Sequence, residues 1–89
     1  MQMKSGAILI SRGKLVISYE WKDVKRFSEG MAAVENANEK WGYINEQGKL
    51  VIPCVWNRTY DFREGLAAVK NADEKWGYIN KQGKISHFV

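Results

Sequence analysis

The ten residues at 40–49 read KWGYINEQGK and return at 75–84 as KWGYINKQGK, with Glu46 answered by Lys81 as the single change. A catalytic site is needed once, whereas a stacked architecture needs its layers alike, so a duplicated phrase speaks of construction before chemistry. The match runs well beyond the phrase. At an offset of 35 residues GKLVI recurs at 13 and 48, Trp21 returns as Trp56, Phe27 as Phe62, and EGMAAV at 29–34 as EGLAAV, with 22 of the 35 positions in 13–47 identical in 48–82. Gly83-Lys84 opens a further copy that ends at Val89, and GAILISR at 6–12 stands where WGYINEQ belongs. The chain therefore reads as a single β-repeat domain over 1–89: a degenerate first copy at 1–12, repeats at 13–47 and 48–82, and a partial repeat at 83–89. Units of this size cannot bury an apolar face alone and must stack on one another.

Within a unit the apolar pattern has a period of 2, and Trp, Tyr, Ile and Val gather in short runs bounded by Gly, Asn and Asp, which predicts strands and no helix. In WGYI-NEQG-KLVI, Gly48 falls where a three-residue hairpin loop needs positive φ, and Gly83 and Gly13 repeat the position. That hairpin predicts Ile44 opposite Leu50 and Gly42 opposite Ile52 on a core side, with Tyr43 opposite Val51 on the other and Trp41 beside them. Gly42 and Gly77 leave space for a close approach by a neighbour. MAAVE at 31–35 and LAAVK at 66–70 predict a third strand, reaching Trp41 or Trp76 through a turn at Asn38-Glu39 or Asp73-Glu74. The expected architecture is all-β, with tandem three-stranded β-meander repeats of 35 residues in a solenoid-like or partly closed array. The repeat glycines Gly13, Gly30, Gly42, Gly48, Gly65, Gly77 and Gly83 are its structural positions.

The order K-W-G-Y-I-N-x-Q-G-K-x-V-I-P followed by F-x-E-G-x-A-x-V resembles the WG-repeat proteins, also called KWG repeats, over residues 13–85. The resemblance implies a bacterial, tandemly repeated, β-rich protein and carries over no catalytic residues. This chain departs from the family pattern in carrying Trp21 and Trp56 where Tyr is usual, and in lacking the first Trp-Gly altogether.

Cys54 and His87 alone invite a nucleophile-and-base reading, but their register is against it. Cys54 aligns with Tyr19, and His87 with Ile17 and Ile52, which are core positions. One Cys and one His are also too few for a structural zinc site within a chain, so neither metal nor cofactor is expected and the chain reads as non-enzymatic. Glu29 and Glu64 precede Gly30 and Gly65 in both copies, and this recurrence favours capping of turn N–H groups over acid–base chemistry. The aromatic set Trp41, Tyr43, Trp56, Tyr60, Trp76 and Tyr78, together with Trp21, has the chemistry to stack on sugars, peptides or bases. Its repetition in register favours packing between units, which leaves ligand contact to rings on an uncovered edge.

The net charge of +4 lies wholly in residues 1–26, where Lys4, Arg12, Lys14, Lys22, Lys25 and Arg26 face Glu20 and Asp23. Glu20 and Asp23 interrupt the cluster and no nucleic-acid motif accompanies it, so nucleic-acid binding is a remote alternative. No apolar run has the length of a spanning helix, and the first residues lack the order of a secretory signal. With one cysteine there is no internal disulfide, and a cytoplasmic setting is the default expectation. The leading functional expectation is an interaction module, a protein-binding or assembly scaffold that meets a protein partner or associates with itself through unpaired ends. Binding of a glycan or cell-wall polymer by exposed Trp and Tyr is the alternative.

Overall fold

A computed structural model of the chain describes residues 7–11, 14–18 and 21–88, with side chains over 21–86. Ten strands and no helix occur among the described residues. A hairpin of β1 (Ala7–Ser11) and β2 (Lys14–Ser18) comes first. Next is an antiparallel sheet in the order β3 (Asp23–Ser28), β4 (Met31–Glu35), β5 (Trp41–Ile44), β6 (Leu50–Trp56). A second antiparallel sheet follows in the order β7 (Arg58–Thr59), β8 (Leu66–Lys70), β9 (Trp76–Asn80), β10 (Ile85–Phe88). Neither sheet closes into a barrel. The stretch expected to be only a connection pairs as a fourth strand, β3 in one sheet and β7 in the other.

One local device closes four loops. At Asn36–Lys40, Asn45–Lys49, Asn71–Lys75 and Asn80–Lys84 the Asn N–H donates to the Lys carbonyl, and the fourth residue's N–H donates back to the Asn carbonyl. Each Asn Oδ1 also accepts two backbone N–H groups from its own loop. The fourth residue takes positive φ in every loop: Gly48 at 81° and Gly83 at 83°, but Glu39 at 64° and Glu74 at 66°. The glycine loops follow the expected turn. The glutamate loops adopt the same shape because the Asn side chain holds the loop backbone through two N–H groups.

The register of the β5–β6 hairpin differs from the simple expectation. Ile44 does oppose Leu50, but Tyr43 opposes Ile52 and Trp41 opposes Trp56, so β6 carries extra residues at Val51 and again at 53–55. The strand bends there, as bulged strands do, and Pro53 sits in the bend without disturbing a ladder. Tyr43 and Ile52 are consequently core, whereas Leu50 and Val51 lie exposed. Gly42 faces the bulge itself: a Cβ there would stand 2.3 Å from the Ile52 carbonyl oxygen and 2.9 Å from the Cys54 nitrogen. The close approach read from the sequence is thus by backbone. Gly77 is buried at the matching place in β9, and Gly13 lies outside the described residues.

Both faces of the first sheet are buried. Met31, Ala33, Tyr43, Ile52 and Trp56 of this sheet share a cluster with Phe62, Ala67, Val69 and Ile79 of the second sheet and its approach. On the other face Ala32, Val34 and Ile44 are fully buried with Trp21, Val24, Phe27 and Cys54 around them, and the hairpin strand β1 runs against β3. The apolar positions Phe27, Ala32, Val34 and Ile44 on that second face are repeated residue for residue by Phe62, Ala67, Val69 and Ile79.

Candidate interaction face

The contact between the two sheets is built from few side chains. The Tyr43 ring meets Phe62 edge-on at 4.8 Å between centroids, and its hydroxyl donates to the Tyr60 carbonyl at 2.6 Å. Burial pushes the Tyr43 phenol well above its ordinary value, so the group remains a donor at any physiological pH. Ser28 Oγ donates to the Phe62 carbonyl at 2.8 Å. Arg26 pairs with Asp61 at 3.2 Å, and Glu29 with Lys81 at 3.5 Å.

Glu29 does the capping expected of it, but for its neighbour. Its carboxylate accepts the N–H groups of Glu64 and Gly65, at the equivalent turn of the second sheet. The N–H of Gly65, then that of Glu64 and the charge of Lys81, hold the Glu29 carboxyl below its usual range. The Glu-Gly pairs at 29–30 and 64–65 both have positive φ at both residues, the geometry of a two-residue hairpin turn.

The six aromatic residues named from sequence fall into two groups. Tyr43 at 1% exposure and Trp56 at 7% belong to the core between the sheets, which corrects their candidacy as ligand contacts. They are buried because the second sheet lies on them, a tertiary event that the repeat pattern left open. Trp41 is half-buried against the same core, with Lys25 Nζ 5.0 Å from its ring centre. Trp76 holds the equivalent place in the second sheet, but its cover is Tyr60, stacked at 5.3 Å, with Lys70 Nζ at 5.7 Å. Tyr60 and Tyr78 are 57% and 51% exposed.

These exposed rings surround one cleft, lined by Lys25, Arg26, Tyr60, Asp61, Leu66 and Tyr78 among others and enclosing about 820 Å³. Leu66, Ala68 and Tyr78 in this face are the repeat equivalents of Met31, Ala33 and Tyr43. In the first sheet that surface is buried under Phe62, whereas here Leu66 remains 41% exposed. Sequence reading did not single out Leu66 or Ala68, although the signal was present. Leu66 and Ala68 lie 35 positions after Met31 and Ala33, whose face is covered by the next sheet, so their own face calls for a further layer.

The Cys54 thiol approaches the Val34 carbonyl at 3.9 Å, and burial pushes its pKa up. Such a thiol is a poor nucleophile. His87 lies in β10 with its backbone opposite Tyr78, and its side chain is outside the described residues. Of the basic amino-terminal cluster, Lys4, Arg12 and Lys14 likewise lie outside the described side chains, whereas Lys25 covers Trp41 and Arg26 is paired.

A chain of antiparallel sheets repeating at a fixed interval, with no helix among the described residues, is a repeat protein of the all-β class. The family model described as WG containing repeat matches residues 11–41, 41–76 and 76–86. The chain belongs to the WG-repeat family. Comparison with curated proteins and with solved structures gives no match. The family segments divide at Trp41 and Trp76, so the segment 41–76 begins with the β5–β6 hairpin of the first sheet and runs into β7 and β8 of the second.

Proposed function

We propose that this chain is a non-enzymatic interaction module whose sheets stack as an open array of β-layers, each a three-stranded meander with a fourth strand from the connection. Its working surface is the face of the second sheet around Leu66, Ala68 and Tyr78. The observation that carries the reading is the inequality of two equivalent surfaces: Tyr43 is buried under the neighbouring layer while Tyr78 is 51% exposed. A sheet face built to be covered, and left open, is a surface for protein association. The apolar lining and the ion-paired rim of Arg26 and Asp61 suit a protein partner better than a charged small molecule.

A second reading, recognition of a glycan or cell-wall polymer, is favoured by the accessible Tyr60 stacked on half-buried Trp76. Tryptophan fluorescence decides between the two, because Trp76 stacks on Tyr60, which lines the cleft, and so senses its occupancy. Titration with a panel of neutral and acidic oligosaccharides is expected to leave the emission unchanged. A saturable quench or blue shift would replace the protein-binding reading with the glycan one.

A further inference from the structure

We infer that the open face of the second sheet takes the first sheet of a second copy of this chain, head to tail, in the same register by which the two sheets already meet within one molecule. The inference rests on the protein-interaction reading above and names its partner. The surface that buries Tyr43 is made of Phe62, Ala67, Val69 and Ile79. An identical set, Phe27, Ala32, Val34 and Ile44, occurs once more in the chain, on the outer face of the first sheet. The receiving surfaces match equally well, since Met31, Ala33 and Tyr43 become Leu66, Ala68 and Tyr78 with one conservative change.

Advancing each contact by one repeat gives the polar pairings of the assembly. Tyr78 meets Phe27 of the second copy edge-on and donates to its Lys25 carbonyl, as Tyr43 does to Phe62 and the Tyr60 carbonyl. Glu64 accepts the N–H groups of its Glu29 and Gly30, as Glu29 does from Glu64 and Gly65. Asp61 faces a second Arg26, a favourable pairing already made once within the chain. Two contacts do not carry over. Arg63 stands where Ser28 donates to the Phe62 carbonyl, and Glu46 stands where Lys81 pairs with Glu29, so Glu64 would meet a like charge.

The outer face of the first sheet is already buried in the single chain, with β1 running against β3. Head-to-tail docking therefore requires the amino-terminal hairpin of the second copy to give way, and association competes with that intramolecular cover. The hairpin corresponds only to the β5–β6 part of a layer. A full second sheet, which adds the partners for Tyr78 and Glu64, is the more complete cover. Because donor and acceptor faces differ, the contact is heterologous and propagates into open chains rather than a closed dimer.

The test is sedimentation velocity of the full chain from micromolar to near-millimolar concentration, with three variants. The wild type is expected to form a concentration-dependent ladder of species. Leu66→Lys is expected to abolish it without changing the thermal melt, since Leu66 is already exposed. Glu46→Lys, which restores the Lys81-type pairing, is expected to tighten association by about two- to fivefold, the range of an exposed charge contact. A photo-cross-linker at position 66 is expected to capture residues 27–34 of an isotope-labelled copy. Cross-links joining identical positions, association indifferent to Leu66→Lys, or weakening by Glu46→Lys would each overturn the inference. A chain monomeric at every concentration also overturns it, yet leaves the broader reading standing, because that is decided by the oligosaccharide titration.

Discussion

At the scale of single residues, the fold is held by positions whose chemistry is dictated by a neighbouring layer. Gly42 is the sharpest case. Nothing about its own conformation requires glycine; the backbone of β6 at Ile52, Pro53 and Cys54 passes within 2.9 Å of where a Cβ would be. A carbonyl and an amide nitrogen cannot rotate away as a side chain can, so Gly42→Ala must displace the bulge. It is expected to destabilise the chain by about 1–3 kcal/mol, the range for overpacking, read as a lower urea midpoint. Gly65→Ala makes a useful contrast, because no atom lies within 4 Å of its Cβ and only its φ of +82° is strained. That Gly42 needed room was legible in the repeat. That the intruder would be backbone was not, because it depends on a bulge whose residues, Pro53 to Val55, differ from Ser18 to Glu20 at the same place in the preceding repeat.

At the scale of elements, the Glu29-Gly30 turn does two tasks. The Glu-Gly turns reverse their own hairpins, and Glu29 also clips the turn of the next sheet through two N–H groups and Lys81. Its carboxyl is held below the ordinary range by these partners, the Gly65 N–H foremost. A carboxyl whose pKa is lower folded than unfolded contributes stability above its unfolded value, which is lost as pH falls through the folded one. Wild-type stability should therefore decline from about pH 4.3 downward, the unperturbed glutamate value. Glu29→Gln should be less stable at neutral pH and show a shallower acid limb, with the two curves converging at low pH. Chemical denaturation between pH 2 and 7 provides the measurement, and parallel curves would deny Glu29 this role. Recurrence identified Glu29 and Glu64 as turn residues from sequence. The direction of the cap, from one sheet to the next, emerged only when the sheets were placed together.

At the scale of the whole molecule, the two sheets do not have separate cores. Phe62 belongs to the approach of the second sheet, is fully buried, and packs on Tyr43 of the first. Phe62→Ala is expected to cost about 3–5 kcal/mol. Far-UV circular dichroism and tryptophan fluorescence are expected to keep reporting one coincident transition, because neither sheet can lose the shared face alone. Non-coincident transitions would mean that the sheets fold as independent units. The 35-residue period, the strands and the loops at Asn45 and Asn80 followed from the order of residues, because alternation and turn chemistry are local properties of a chain. Which aromatic rings would be core was decided elsewhere. Tyr43 and Tyr78 have the same neighbours in sequence and the same place in their sheets, yet one is buried and the other open, since burial depends on what lies across the sheet face rather than along the strand.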